Sequence, residues 1–234
     1  MVQRRSAPRP RVGMPAADRA MWTRLYANSP LQHLPWFTRA PYPPLVRAVE
    51  RGDLVGPGPV LDVGCGLGTN ALWMASRGFR VTGIDLAPGA ISAAAARGTP
   101  SGRNVRFVVD DILASALPGR SFRGAIDVGC FQTLPPRTRA EYAQGLARVL
   151  RPGGVLILFW VGREESGSWG PPHRLSVGEV VEPLESRFVV DRIEHRPRAV
   201  RLTAQVKRSN RPLAALSGYT ARLVRRVGRQ PPPR

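Results

Sequence analysis

Between residues 59 and 161, short apolar runs alternate with segments whose apolar positions recur every three or four residues. The runs "PVLDVG", "FRVTGID", "NVRFVVD", "RGAIDVG" and "GGVLILFWV" are short and nearly continuous in apolar character, as expected of strands covered on both faces. The segments between them read as helices. "GTNALWMASRG" places Ala71, Leu72 and Ala75 on one face and stops at Gly78. "PGAISAAAARG" carries Pro88 at its start and Gly98 past its end, and "RTRAEYAQGLARVL" repeats Tyr142, Leu146 and Val149 at helical spacing. Beyond the fifth strand, "SVGE" (Ser176 to Glu179) has capping-box spacing and opens another helix, which Pro183 is expected to shorten. "RFVVDRIEHR" and "GYTARLVRRV" read as two last strands, whereas residues 197–216 between them show no clear pattern. Strands alternating with helices predict an α/β fold, a mostly parallel sheet with helices on both faces. Ligands of such sheets bind beyond the carboxyl ends of the strands, near the point where strand order reverses.

The length, 234 residues, suits one domain with extensions. No apolar run approaches the roughly 18 residues of a membrane span. The first 20 residues are basic and Pro-rich without an apolar stretch, so they read as a disordered N-terminus rather than a signal peptide, and a cytoplasmic protein is expected. Met14 and Met21 are alternative starts. Cys65 and Cys130 form neither a disulfide framework nor a metal-ligand spacing, so no metal is expected. The net charge of +19 lies mainly at the ends. Residues 1–30 hold six Arg and one Asp, and residues 192–234 hold eleven Arg, one Lys and one Glu. Residues 31–191 hold seventeen Arg against fourteen acids. That distribution places the excess on solvated tails, the last at 229–234, with an anion-binding patch as the competing reading.

The segment "VLDVGCGLGTNALWMASRGF" has the build of strand, glycine loop and helix. Its glycines run Gly64, Gly66, Gly68, with Thr69 where a dinucleotide fingerprint needs a third small residue. No Lys-Ser/Thr pair follows, which excludes a triphosphate P-loop. Asp85 ends the second strand, 23 residues after Asp62 ends the first. A carboxylate at Asp85 can accept ribose hydroxyls. One at Asp62 would repel a pyrophosphate and attract an ammonium. A ligand with a ribose, an ammonium and a sulfonium but no phosphate fits: S-adenosylmethionine.

Four stretches in register, "VLDVGCGLGTN", "VTGIDLAPGAI", "VRFVVDDIL" and "LRPGGVLILFW", resemble the successive motifs of the class I S-adenosylmethionine-dependent methyltransferases, over about residues 55–195. The resemblance implies a Rossmann-like seven-stranded sheet with an antiparallel last strand, in a domain over 21–228 with a lid segment at 21–59. It places Asp85 at the ribose, Asp111 and Ile112 at the adenine, and Asp62 and Gly64 beside the methionine end, with Cys65, Gly66, Gly68 and Leu86 as further cofactor contacts. Asp127 is counted among the cofactor contacts as well.

Pro35–Trp36, Gly129–Cys130–Phe131 and Gly170–Pro171–Pro172 further resemble the thiopurine and thiol S-methyltransferase branch. Relatives in that branch carry an Arg after Asp127 and a His two residues past the Cys. This chain has Val128 and Gln132 there, and Arg123 or Gly124 where relatives have an Asp near the start of the fourth strand. The branch implies a small-molecule acceptor, a thiol sulfur, and a monomer. A thiol needs little base assistance, being a few per cent ionised at pH 7. Asp127, His33 and His173 are the candidate bases if the acceptor is oxygen or nitrogen. Tyr26, Trp36, Gln132 and Trp169 are the candidate acceptor-pocket walls, aromatic faces suiting both an apolar acceptor and a sulfonium. The competing readings are an O- or N-methyltransferase of a secondary metabolite, an RNA methyltransferase, and a non-catalytic cofactor-binding protein. Against nucleic acid, "CFQTLPPR" stands where base methyltransferases carry an Asp/Asn-Pro-Pro-aromatic step.

Overall fold

The computed structural model of the chain describes residues 13–30, 33–34, 36–54, 56–98, 104–165, 173–196 and 218–227. Seven strands form one sheet: β1 (Pro59–Val63), β2 (Arg80–Asp85), β3 (Val105–Val109), β4 (Phe122–Val128), β5 (Leu150–Val161), β6 (Phe188–Arg196) and β7 (Gly218–Arg225). Their order is β3-β2-β1-β4-β5-β7-β6. β7 is inserted antiparallel between β5 and β6, and the other neighbouring pairs are parallel. The chain winds outward from β1 to β3, then returns to place β4 against the other side of β1. Strand order therefore reverses between β1 and β4, and a crevice opens at their carboxyl ends.

Among the described residues the α-helices are α1 (Ala16–Asn28), α2 (Pro43–Glu50), α3 (Thr69–Ser76), α4 (Pro88–Ala96), α5 (Arg139–Val149) and α6 (Val177–Leu184). Two apolar layers cover the sheet. On one side Tyr142, Leu146 and Val149 of α5, with Val180 and Leu184 of α6, pack on Leu61, Leu156 and Leu158. On the other, Leu45 and Ala48 of α2, with Ala71 and Met74 of α3, pack on Val60, Val81 and Ile157. Ser176 caps α6 as its sequence predicts: its hydroxyl accepts from Glu179 N–H while the Glu179 carboxylate accepts from Ser176 N–H. The helix ends one residue after Pro183.

One expectation changes. α1 begins at Ala16, inside the stretch expected to be disordered, and Met14 before it is buried. The reason is a tertiary clasp. Asp111 Oδ2 accepts from Met14 N–H at 2.6 Å and from the Arg19 guanidinium at 2.7 Å. Residues 197–216 and 229–234 lie outside the described residues. Among the described residues, no helix is long and apolar enough to cross a membrane.

Candidate functional site

The glycine loop follows β1 because β1 must turn sharply into α3. Gly64, Gly66 and Gly68 all have positive φ, a region that favours glycine. At Gly64 the demand is also steric, since a Cβ there would lie 2.6 Å from Cys130 Cβ. Gly68 departs from expectation. It stands at the start of α3 outside the cleft wall, and a Cβ there would meet the Phe107 ring at 2.6 Å. Its smallness serves packing of the loop against β3.

Asp62, Gly64, Cys65, Gly66, Asp85, Leu86, Asp111 and Ile112 all line a single cleft, together with Tyr26, Trp36 and Gln132. Asp85 accepts from Gly66 N–H at 3.0 Å and Ala87 N–H at 2.9 Å, one through each oxygen, which fixes the carboxylate at the mouth of the loop. Burial pushes its pKa up to about 6 against the pull of the backbone N–H groups. Asp62 is fully enclosed. Burial first, then the Asp127 charge, holds its carboxyl well above the usual range, and its Oδ2 has no partner among the described residues. A buried carboxylate oxygen without a donor calls for one from a ligand, and an ammonium would also relieve the charge. The cleft thus offers a fixed carboxylate for a ribose and an unpartnered one for an ammonium. These residues fit S-adenosylmethionine.

Asp111 lines the same cleft, but its carboxylate already serves Met14, Arg19 and the Leu113 N–H. It joins the start of α1 to the cleft wall. Asp127 is corrected more fully. It is completely buried beneath the cleft floor and does not line it. Its oxygens accept from Cys130 N–H (2.7 Å), Phe131 N–H (2.9 Å) and the Tyr142 hydroxyl (2.6 Å). It anchors the turn after β4, with its oxygens taken up by these protein donors.

His33 and His173 are exposed and outside the cleft wall. His173 N–H donates to Gln132 O. Gln132 is buried, its Oε1 accepting from Val161 N–H at 2.7 Å, so this side chain ties the wall to β5. Trp169, with Gly170–Pro171–Pro172, lies outside the described residues. Both cysteine thiols are pushed well above their usual range by burial and nearby carboxylates, so neither is a thiolate at neutral pH.

Sequence reasoning missed Met14, Trp22, Phe37, Tyr42, Asn70 and Leu134, which also line the cleft. One signal was available: Arg19, Trp22 and Tyr26 recur at helical spacing. The others are brought in by loops without a periodic pattern. Trp22 meets Trp36 edge to face at 5.6 Å, and Trp36 Nε1–H donates to the Tyr26 hydroxyl at 3.0 Å.

Comparison with known proteins places the chain in a family. Residues 60–154 match the model of a methyltransferase domain family. The chain is 32% identical over 166 residues to the 2-heptyl-1-hydroxyquinolin-4(1H)-one methyltransferase of Mycobacteroides abscessus, covering 68% of this chain and 70% of that one. It is 32% identical over 164 residues to "Probable thiol methyltransferase 2" of Arabidopsis thaliana, covering 67% and 71%. In fold it resembles the 1,6-didemethyltoxoflavin-N1-methyltransferase of Burkholderia thailandensis solved with S-adenosylhomocysteine, with a TM-score of 0.65 at 24% identity over 94% of this chain and 93% of that one.

Proposed function

Because this chain belongs to the S-adenosylmethionine-dependent methyltransferases, we propose that it methylates the sulfur of a small, apolar thiol. The cofactor supplies a methyl group on a sulfonium, which leaves without acid assistance, so the protein contributes chiefly position and dehydration. Asp85 takes the ribose hydroxyls and Asp62 the ammonium, while Leu86 and Ile112 flank the adenine.

The observation that carries the sulfur reading is that, among the described residues, the cleft offers no free base: Asp62, Asp85 and Asp111 are assigned to the cofactor, and Asp110 is held by the Ser115 hydroxyl and the Asp111 N–H. Beyond the positions assigned to the cofactor, the described wall includes Trp22, Trp36, Phe37, Tyr42, Gln132 and Leu134. Burial raises the phenols of Tyr26 and Tyr42 above their already high range, so both stay protonated. No His, Lys or Arg lines the cleft among the described residues. An acceptor here must bring its own ionised lone pair, and a thiol does so more readily than an alcohol or an ammonium. Charge narrows the class further. Asp62, Asp85, Asp110 and Asp111 line the cleft with no cation among the described lining, so acceptors bearing carboxylate or phosphate are disfavoured. The same feature argues against a nucleic-acid partner. The Arabidopsis relative supports the sulfur reading. The mycobacterial relative favours a second, an acidic hydroxyl on an apolar ring, which meets the same requirement. With both cysteines free, we place the enzyme in the cytoplasm, acting as a monomer.

The test is release of S-adenosylhomocysteine across neutral thiols, anionic thiols, phenols, N-hydroxy heterocycles, amines and bulk RNA, followed by pH profiles. Turnover is expected on neutral apolar thiols. The rise of kcat/KM with pH should track the pKa of each thiol, moving when a more acidic thiol is used. With the cofactor saturating at every pH, an inflection that stays put across thiols would reveal an enzymic base and sink the reading.

A further inference from the structure

Tyr26 projects from α1 over the glycine loop. Its side chain is buried among Leu34, Leu67, Ala87 and Ala90. The hydroxyl stands so near Gly66 that a Cβ on that glycine would meet it at 3.0 Å. Trp36 Nε1–H donates to the same oxygen at 3.0 Å. This engages one lone pair and turns the phenol's own proton away from the indole. Burial, and then the Asp85 carboxylate, keeps that proton in place. The Tyr26 O–H has no acceptor among the described residues. A buried donor in that position is expected to find its partner in what the cleft binds.

The bound cofactor carries one anionic group, the carboxylate of its amino-acid end. The described cleft lining offers it no cation. Arg19 nearby is engaged by Asp111, and Arg196 donates to the Tyr42 hydroxyl at 2.5 Å. What the described lining offers the carboxylate is therefore neutral donors, and one stands ready over the loop. We propose that the Tyr26 hydroxyl is the positioning donor for the cofactor carboxylate, aimed by the Trp36 indole. Cofactor occupancy is thereby coupled to Trp36, which also walls the acceptor end. The proposal rests on the cofactor and not on the identity of the acceptor.

Calorimetric binding tests it without turnover. The ligands are S-adenosylhomocysteine and its decarboxylated counterpart, which keeps the ribose, adenine and ammonium. Tyr26→Phe removes only the hydroxyl and is expected to weaken S-adenosylhomocysteine roughly tenfold, as for a hydrogen bond to a charged group. The decarboxylated ligand should bind wild type and Tyr26→Phe alike. Trp36→Phe keeps an aromatic ring and removes the N–H, and it should show the same ligand-selective loss at smaller size. An equal loss on both ligands would place the hydroxyl at the ribose or in packing, and no loss on either would leave it idle. Both results overturn the proposal. Failure of wild type to bind S-adenosylhomocysteine would instead strike the cofactor assignment.

Discussion

Asp85 shows how one side chain is shaped for its task. Two backbone N–H groups hold its oxygens, so the carboxylate cannot rotate away from the cleft, while burial raises its pKa to about 6. Only the ionised form accepts two hydroxyl donors well. Cofactor affinity is therefore expected to fall as pH drops through about 6, and titration calorimetry between pH 5 and 8 would show it. Asp85→Asn should weaken binding at pH 8 by roughly tenfold or more and make the decline with acid shallower. Near-wild-type affinity in that variant would remove Asp85 from the site. Gly64 is constrained in a different way. Its positive φ and the Cys130 side chain beside it leave no room for a methyl group, so Gly64→Ala should lose cofactor binding by displacing the loop.

The element with most influence on the cleft is α1. Its N-terminal turn is held by Met14 and Arg19 on Asp111, and its middle sends Trp22 and Tyr26 into the cleft. Among the helices and strands it packs chiefly on α4. Arg19→Ala should therefore raise amide hydrogen exchange across α1 and leave β1, β4 and β5 protected. Unchanged exchange in α1 would show that packing on α4 suffices. α6 makes a contrasting case, because its start is written locally. Ser176→Ala removes a capping box seen in both directions and should cost about 1 kcal/mol of stability without altering cofactor affinity. Thermal denaturation and calorimetry together distinguish the two effects.

Asp62, Asp85 and Asp127 are acids collected beneath one cleft, and the whole molecule bears the cost. Asp85 and Asp127 have pKa values raised to about 6 and about 7, above the roughly 4 of an unfolded chain. Between about pH 4 and 7 the native state thus binds more protons than the unfolded one, and stability falls as pH rises. Thermal denaturation of the cofactor-free protein should show a higher midpoint at pH 6 than at pH 8. The cofactor acts in the opposite sense, since it needs the carboxylates ionised. The stabilisation it adds should shrink over the same descent in pH. A cofactor-free midpoint that rose toward pH 8 would contradict the burial of these acids.

How much of this could be read from the chain follows from the range of the forces involved. The five parallel strands, the helices between them and the capping of α6 depend on apolar periodicity, glycine, proline and a Ser–Glu pair four residues long, all local features. The motif order likewise brought Asp62, the loop glycines and Asp85 to one end of the sheet, because each ends or follows a strand. Residues whose role depends on distant partners were not legible in this way. Asp127 reads as a strand-end acid that either serves chemistry or bonds to backbone, and the enclosure by Tyr142 and the following turn appears only in the fold. Gly68 reads as a ligand contact until Phe107, on another strand, is found against it. The order of the first helix, the clasp on Asp111 and the aiming of Tyr26 by Trp36 rest on contacts across long stretches of chain. Periodicity records which face of an element is covered, and packing alone settles what covers it.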